Sequence, residues 1–335
     1  MFAERLICSW IGALGLAGGA FCQTYVPVQI PPPGSPVDTY PYSINEAGVV
    51  AGVFSINDQL GPFTGFVRDA AGTITTFTAP SSTSTDARSI NAAGAITGSY
   101  VGGSISSFGT HGFVRDPAGN FISFDADPGI PGIPVTNARG INAGGTVTGY
   151  YSSSQPSSVN HGFLRDADGT TTSFDPPGST GTFPASINAV GAITGYYQRA
   201  DGSVHGFVRH PTGHITSFDP PGSTGTFPAS INYSGAITGY YTKADGRRFG
   251  FVRDAAGKIT SFDPGINTFP GSINNQGVIT GSTDGSGFVR SPEGTIALFA
   301  PPFCFGAINP TSINDRGVIT GWCVGIPTRG WLRFP

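Results

Sequence analysis

Short apolar runs and turn residues alternate along almost the whole chain, and apolar positions at helical spacing are absent. Within residues 186–219 the runs are Ser186–Asn188, Ala192–Tyr197, His205–Arg209 and His214–Asp219. They are rich in Ile, Val, Thr, Phe and Tyr, which suit a pleated, half-buried surface, and so predict four strands, A to D. Asn-x-x-Gly joins A to B, as in Asn91–Gly94, Asn188–Gly191, Asn232–Gly235 and Asn314–Gly317. Asp-x-x-Gly joins C to D, as in Asp69–Gly72, Asp116–Gly119, Asp166–Gly169 and Asp254–Gly257. The Asn or Asp side chain bonds backbone two residues on, and Gly takes the left-handed position that closes a bulged hairpin. Each set of four strands is therefore an antiparallel meander.

The meander recurs. Ser-Ile-Asn begins at Ser43, Ser89, Ser186, Ser230, Ser272 and Ser312, with the variant Gly140-Ile141-Asn142. Successive spacings are 46, 51, 46, 44, 42 and 40. Gly-Phe-Val-Arg or a close variant follows each anchor, and TSFDPPGSTGTFPASIN stands identically at 172–188 and 216–232. Four strands every ~40–50 residues is the mark of a β-propeller, with an open solenoid as the alternative. The seventh copy has A, B and C but no D, whereas Thr24–Ser35 resembles a D run and its exit, followed by Tyr40-Pro41 and Ser43. A closed ring makes use of that permutation, because the N-terminal strand then covers an exposed sheet edge. The expectation is all-β: a seven-bladed β-propeller of four-stranded antiparallel blades, closed by the N-terminal strand joining the last blade. It would form one domain over residues 23–335.

Residues 1–22 carry Arg5, an apolar run and then small residues. They read as a secretory signal peptide, cleaved after Ala20 or Cys22. That expectation makes the mature chain an exported bacterial protein (secreted, periplasmic or at the cell surface) without an integral membrane segment. Cys8 and Cys22 fall in the signal, leaving Cys304 and Cys323. The pair flanks strands A and B of the last copy and folds to one end of the sheet, so a disulfide is expected. A net charge of −3 and the lack of a basic run make nucleic acid and anionic membranes poor partners. A monomer is expected.

The consensus Ile-Asn-x-x-Gly-x-Ile-x-Gly, then His-Gly-Phe-Val-Arg, then Gly-x-Ile-x-x-Phe-Asp, resembles the bacterial extracellular HAF repeat, named for His-Ala-Phe. Here Gly replaces the central Ala at His111-Gly112-Phe113, His161-Gly162-Phe163 and His205-Gly206-Phe207. The resemblance spans about residues 24–335. It implies an exported, repeat-built protein and transfers no catalytic or binding residue.

Candidate chemistry is sparse. Three of the five histidines, His111, His161 and His205, start strand C on different blades and should each bond within their own blade. His210 and His214 flank one turn. The arginines Arg68, Arg115, Arg165, Arg209, Arg253, Arg290 and Arg333 recur in every copy and should pair with turn carboxylates such as Asp69 or Asp116. Asp125, Asp175, Asp219 and Asp263 end strand D and should accept backbone N–H groups at the next turn. No nucleophile elbow, Cys-x-x-Cys pair, phosphate loop or calcium loop is present. The expectation is a non-catalytic protein without metal or cofactor.

Aromatic residues remain. The A–B and C–D turns are uniform, while the B–C and D–A links vary, and loop variation on a rigid scaffold is where binding concentrates. The candidate ligand contacts on that face are Tyr100, Tyr151, Tyr197, Tyr241, Phe183, Phe227 and Phe269. A glycan or an extracellular protein is the expected partner. The alternatives are a structural surface protein without a discrete ligand and, more weakly, a polysaccharide hydrolase or lyase.

Overall fold

The computed structural model describes residues 5–8, 22–30, 37–56, 61–103, 108–127, 129, 132–153, 155 and 159–335. Most of the expected signal segment (1–4 and 9–21), residues 31–36 of the N-terminal run and parts of the long links (57–60, 104–107, 128, 130–131, 154 and 156–158) lie outside the described residues. Every regular element among the described residues is a β-strand.

Six copies of the meander contain all four strands in chain order, each antiparallel to its neighbour. The A strands are Asp38–Ile44, Ser82–Ile90, Pro134–Ile141, Ser179–Ile187, Gly225–Ile231 and Phe269–Ile273. In the seventh copy, Ile308–Ile313, Ile319–Cys323 and Arg329–Phe334 form A, B and C. The segment Cys22–Val28 takes the place of D, with Thr24 opposite Phe334 and Val28 opposite Gly330. Arg5–Cys8 pairs with the outer side of that strand. The A strands touch one another in order, and Ile308–Ile313 touches Asp38–Ile44.

Each consensus residue has a task that a repeated sheet imposes. The asparagine after strand A is the most demanding. Asn188 Oδ1 accepts the Ala192 N–H across its own turn at 2.9 Å, and Nδ2 donates to the Asn232 carbonyl of the next unit at 2.9 Å. The side chains of Asn45, Asn91, Asn142, Asn232, Asn274 and Asn314 donate in the same way to the next asparagine carbonyl. The last of these bonds runs from Asn314 back to Asn45. All seven asparagines are buried, where an unpaired amide would cost several kcal/mol, roughly 1–3 per lost group. The serine of the anchor adds a second stitch: the Ser43, Ser186, Ser230 and Ser272 hydroxyls accept the N–H of the next anchor's Ile, and Ser312 accepts that of Ile44.

The seams between units repeat as well. The strand C phenylalanines, such as Phe113, Phe163, Phe207 and Phe251, are fully buried. Each meets the strand D phenylalanine of the preceding unit edge-on, as Phe174 meets Phe207 at 6.0 Å. That same D ring lies over the glycine of Gly-Phe-Val-Arg in its own unit, where a Cβ on Gly65 or Gly112 would strike Phe77 or Phe124. The strand C arginine then covers the neighbour's ring: Arg115 over Phe77 at 4.8 Å, Arg165 over Phe124 at 4.7 Å, Arg253 over Phe218 at 5.1 Å. Its Nη1 donates to the carbonyl of the following residue, as from Arg115 to Asp116. The expected pairing of these arginines with turn carboxylates is therefore corrected. A guanidinium is weakly hydrated and planar, so an aromatic face suits it as well as a carboxylate would.

The last seam differs. Val28 and Ile30 pack on Phe66 there, in place of a D-strand phenylalanine. Cys304 and Cys323 are joined by a disulfide that packs with Phe299 and Trp331, between the sixth and seventh copies.

Candidate binding site

The terminal aspartates of strand D hold side chains, and Asp263 also accepts the expected turn N–H, from Gly265 at 3.3 Å. His111 Nδ1 lies 2.8 Å from Asp125, His161 2.6 Å from Asp175 and His205 2.7 Å from Asp219. Thr226 Oγ1 donates to Asp219 at 2.5 Å, and Thr182 donates likewise to Asp175. In the next unit Phe249 stands at the histidine position, and Arg247 pairs with Asp263 at 2.7 Å instead. Each imidazole therefore bonds within its own unit, and among the described residues no group of three metal-ligating side chains forms. His205 Nε2 also lies 2.8 Å from Ser203 Oγ, giving the bonding order of a hydrolytic triad. However, Ser203 Oγ donates to Asp201 at 2.6 Å, and the Gly202 and Ser203 N–H groups are bonded to Arg199 and Asp201. That leaves this turn without an oxyanion hole of its own.

The seven aromatic candidates divide into two sets. Tyr100, Tyr151, Tyr197 and Tyr241 are buried, at 8, 6, 1 and 3% exposure. Tyr100, Tyr151 and Tyr197 lie against the histidine of strand C, and Tyr241 against Phe249. The hydroxyls of Tyr151, Tyr197 and Tyr241 share hydrogen bonds with Ser173, Ser217 and Ser261. All four rings, and the hydroxyls of Tyr151, Tyr197 and Tyr241, are engaged inside the unit, so these side chains offer little surface to a ligand.

Phe183, Phe227 and Phe269 are half-buried on strand A. They interleave with the first tyrosine of each Tyr-Tyr pair. Tyr150 meets Phe183 edge-on at 5.3 Å, Phe183 stacks on Tyr196 at 4.8 Å, and Tyr196 meets Phe227 at 5.3 Å. Phe227 then stacks on Tyr240 at 4.8 Å, and Tyr240 meets Phe269 at 5.2 Å. Six half-buried rings thus form one continuous ladder across four units. Arg139 stands over Tyr150 and donates to its hydroxyl at 2.9 Å. Arg248 stands over Phe269 at the other end.

The ladder stops where its residue types stop. The next two positions in the series are Ser282 and Asn309, and a cleft of about 520 Å³ opens there. It is lined by Phe269, Asn267, Ser282, Thr283, Asp284 and Asn309, among others. Beyond the cleft Trp322 and Tyr40 resume the pattern at 5.3 Å.

The innermost A-strand positions, just before the Ser-Ile-Asn anchors, are unequal. They hold Tyr42, Arg88 and Arg139 in the first three units and Ala185, Ala229, Gly271 and Thr311 in the rest. Arg88 lies over Tyr42 at 4.4 Å and pairs with Asp86 at 2.6 Å. Burial pushes the Tyr42 hydroxyl up to about 12, with the Arg88 charge opposing the rise. Burial also raises Tyr196, with the neighbouring phenols of Tyr150 and Tyr240 adding to the effect and Arg139 opposing it. Groups from several units therefore converge on one region. The strand B tyrosines Tyr150, Tyr196 and Tyr240 and the arginines Arg139 and Arg248 were absent from the sequence-based candidates. The run of three Tyr-Tyr pairs was the available signal, and it is the first member of each that is half-exposed.

No protein-family profile matches the sequence, and no curated protein does. Solved structures do. A streptogramin B lyase matches over 93% of this chain and 98% of its own, at 17% identity and a TM-score of 0.61. A catalytically inactive virginiamycin B lyase from Staphylococcus aureus, with quinupristin, matches over 93% and 100% at 15% identity and 0.62. The β-propeller domain of the trilobed protease from Pyrococcus furiosus, described as an open velcro topology, matches over 89% and 95% at 9% identity and 0.57. Likeness at these identities speaks to fold alone. The chain is a β-propeller.

Proposed function

We propose that this chain is an exported, non-catalytic β-propeller that binds a glycan along the aromatic ladder Tyr150–Phe183–Tyr196–Phe227–Tyr240–Phe269. We read it as seven-bladed and closed by its N-terminal strand. The pairing of Thr24–Val28 with Gly330–Phe334 and the asparagine bonds that return to Asn45 support that reading. Membership of the HAF-type repeat group belongs to the same proposal, as does the signal peptide.

One observation carries the function. The consensus residues are consumed by the scaffold, whereas the ladder belongs to only part of the ring and stays half-open. Scaffold residues recur because every unit needs them. A partial feature on the variable side is free to serve a ligand. Aromatic surface ending in a cleft that carries Asn267, Ser282 and Asn309 on a mainly apolar lining suits sugar rings, which present apolar C–H faces and hydroxyl edges. The units Phe183/Tyr196 and Phe227/Tyr240 stand in identical sequence 44 residues apart, which suits a repeating ligand.

A glycan array with the full chain tests this. Saturable binding lost in Tyr196→Ala and Phe227→Ala, both still folded, supports the reading. Binding unchanged in both variants, or turnover of the bound glycan, overturns it.

A further inference from the structure

The ladder is bracketed by two cations. Arg139 and Arg248 are both half-buried, and among the described residues neither forms an ion pair. Of the other arginines near the loops, Arg88 pairs with Asp86 at 2.6 Å and Arg247 with Asp263 at 2.7 Å, while Arg199 is exposed and donates to the hydroxyl of the buried Tyr197 at 3.1 Å, away from the ladder. The strand C arginines Arg115, Arg165, Arg209, Arg253, Arg290 and Arg333 lie over D-strand rings. Arg139 spends one N–H group on the Tyr150 hydroxyl, which leaves donors of its five-donor fork for another acceptor. Holding an unpaired guanidinium beside a ring in a half-buried site costs desolvation, and a planar anion offsets that cost best.

We propose that the glycan is anionic: a uronic-acid polysaccharide whose carboxylates meet Arg139 and Arg248 while its sugar rings lie on the aromatic rungs between them. This deepens the glycan-binding reading and rests on it. The carboxylate supplies orientation and the ladder supplies contact area. Asn267, Asn309 and Ser282 in the terminal cleft are neutral donors and acceptors for sugar hydroxyls. Asp284 lies at the cleft rim, exposed and bonded to the Ile266 N–H at 2.6 Å, so its charge is already partly satisfied.

Calorimetric titration of the full chain separates the two layers of this argument. The probes are galacturonate and mannuronate hexamers, the fully methyl-esterified galacturonate hexamer and neutral maltohexaose. At least one uronate hexamer should bind, weakening with salt as a screened charge contact does. The esterified or neutral probe should bind about tenfold or more weakly. Arg139→Gln and Arg248→Gln should each weaken uronate binding by about tenfold or more, the range of a charge-assisted hydrogen bond. Arg139→Lys should recover part of the loss, and thermal melts of all three variants should match the parent. Equal binding of ester and acid, or glutamine variants that bind like the parent, overturns the anionic assignment and leaves a neutral glycan. Silence from every hexamer together with a silent glycan array overturns the glycan reading beneath it.

Discussion

Two belts of side chains run across the units, and they obey different rules. The asparagine belt is complete: Asn45, Asn91, Asn142, Asn188, Asn232, Asn274 and Asn314 each donate to the next. The aromatic belt is broken. At its strand A positions it holds Tyr40, Phe183, Phe227 and Phe269, but Asp86, Asn137 and Asn309 elsewhere. The first belt is buried, and any missing member would strand an N–H without water and take one of two donors from the next carbonyl. The second is half-exposed, so a change there costs only part of a packing contact. Uniformity therefore marks what the fold demands, and interruption marks where the surface was free to become a site.

The comparison can be broken most severely at the seam. Deleting residues 23–30 removes Tyr25, Val28 and Ile30, all buried, at about 1.5–3 kcal/mol each. Denaturant unfolding should show a loss above about 5 kcal/mol; an unchanged midpoint would remove the N-terminal strand from the scaffold.

The next largest effect belongs to the neighbouring tyrosines. Tyr197→Ala should cost about 3–5 kcal/mol, as expected for a fully buried aromatic. Tyr196→Ala should cost less than half of that while eliminating glycan binding. Equal destabilisation by the two changes would erase the distinction between core and ladder.

Asn188→Ala leaves the Ala192 N–H without its partner and takes one of two donors from the Asn232 carbonyl, which keeps the Gly235 N–H; it should cost about 1–3 kcal/mol, with binding retained once folded. A loss under about 0.5 kcal/mol would mean that the belt is ornamental.

The smallest effect is electrostatic. Tyr42 has its folded pKa raised from 10.0 to about 12. A raised value means the folded state holds this proton more tightly. The associated stability is therefore intact below pH 10 and is lost as the pH rises through 12. Ultraviolet titration should show several late-ionising phenols, one fewer in Tyr42→Phe, and the variant should lose less stability than the parent over that window. A late-ionising component unchanged in the variant would place Tyr42 in solvent.

The meander, its period and the permuted ends were legible in the sequence because strands and tight turns are local. Ile-Thr-Gly alternation and Asn-x-x-Gly turns need only a few residues to declare themselves. The duties of the consensus were less legible. The strand C arginines and strand D aspartates carry charge, which suggested ionic or turn partners. Their real partners are a ring in the preceding unit for most of the arginines and, for the aspartates, a histidine on the paired strand C or Arg247, with a threonine further along at Asp175, Asp219 and Asp263.

The site turned on a single residue. Counted from the Asn188–Gly191 turn with regular pairing, Phe183 stands opposite Tyr197. A bulge between Pro184 and Ser186 shifts the register, and Phe183 pairs with Tyr196 instead. Side chains alternate across a strand, so a shift of one residue exchanges the buried face for the open one. The same bulge recurs between Pro228 and Ser230 and between Pro270 and Ser272. It is also why the glycine of Ile-Thr-Gly is needed, since a Cβ on Gly195 would strike the Phe183 carbonyl. The sequence by itself determined the repeating sheet and the residues available to it, because those depend on local periodicity. Only the tertiary structure decided which tyrosine faces outward and which arginines stay unpaired, because both depend on a register and on neighbours some 44 residues away.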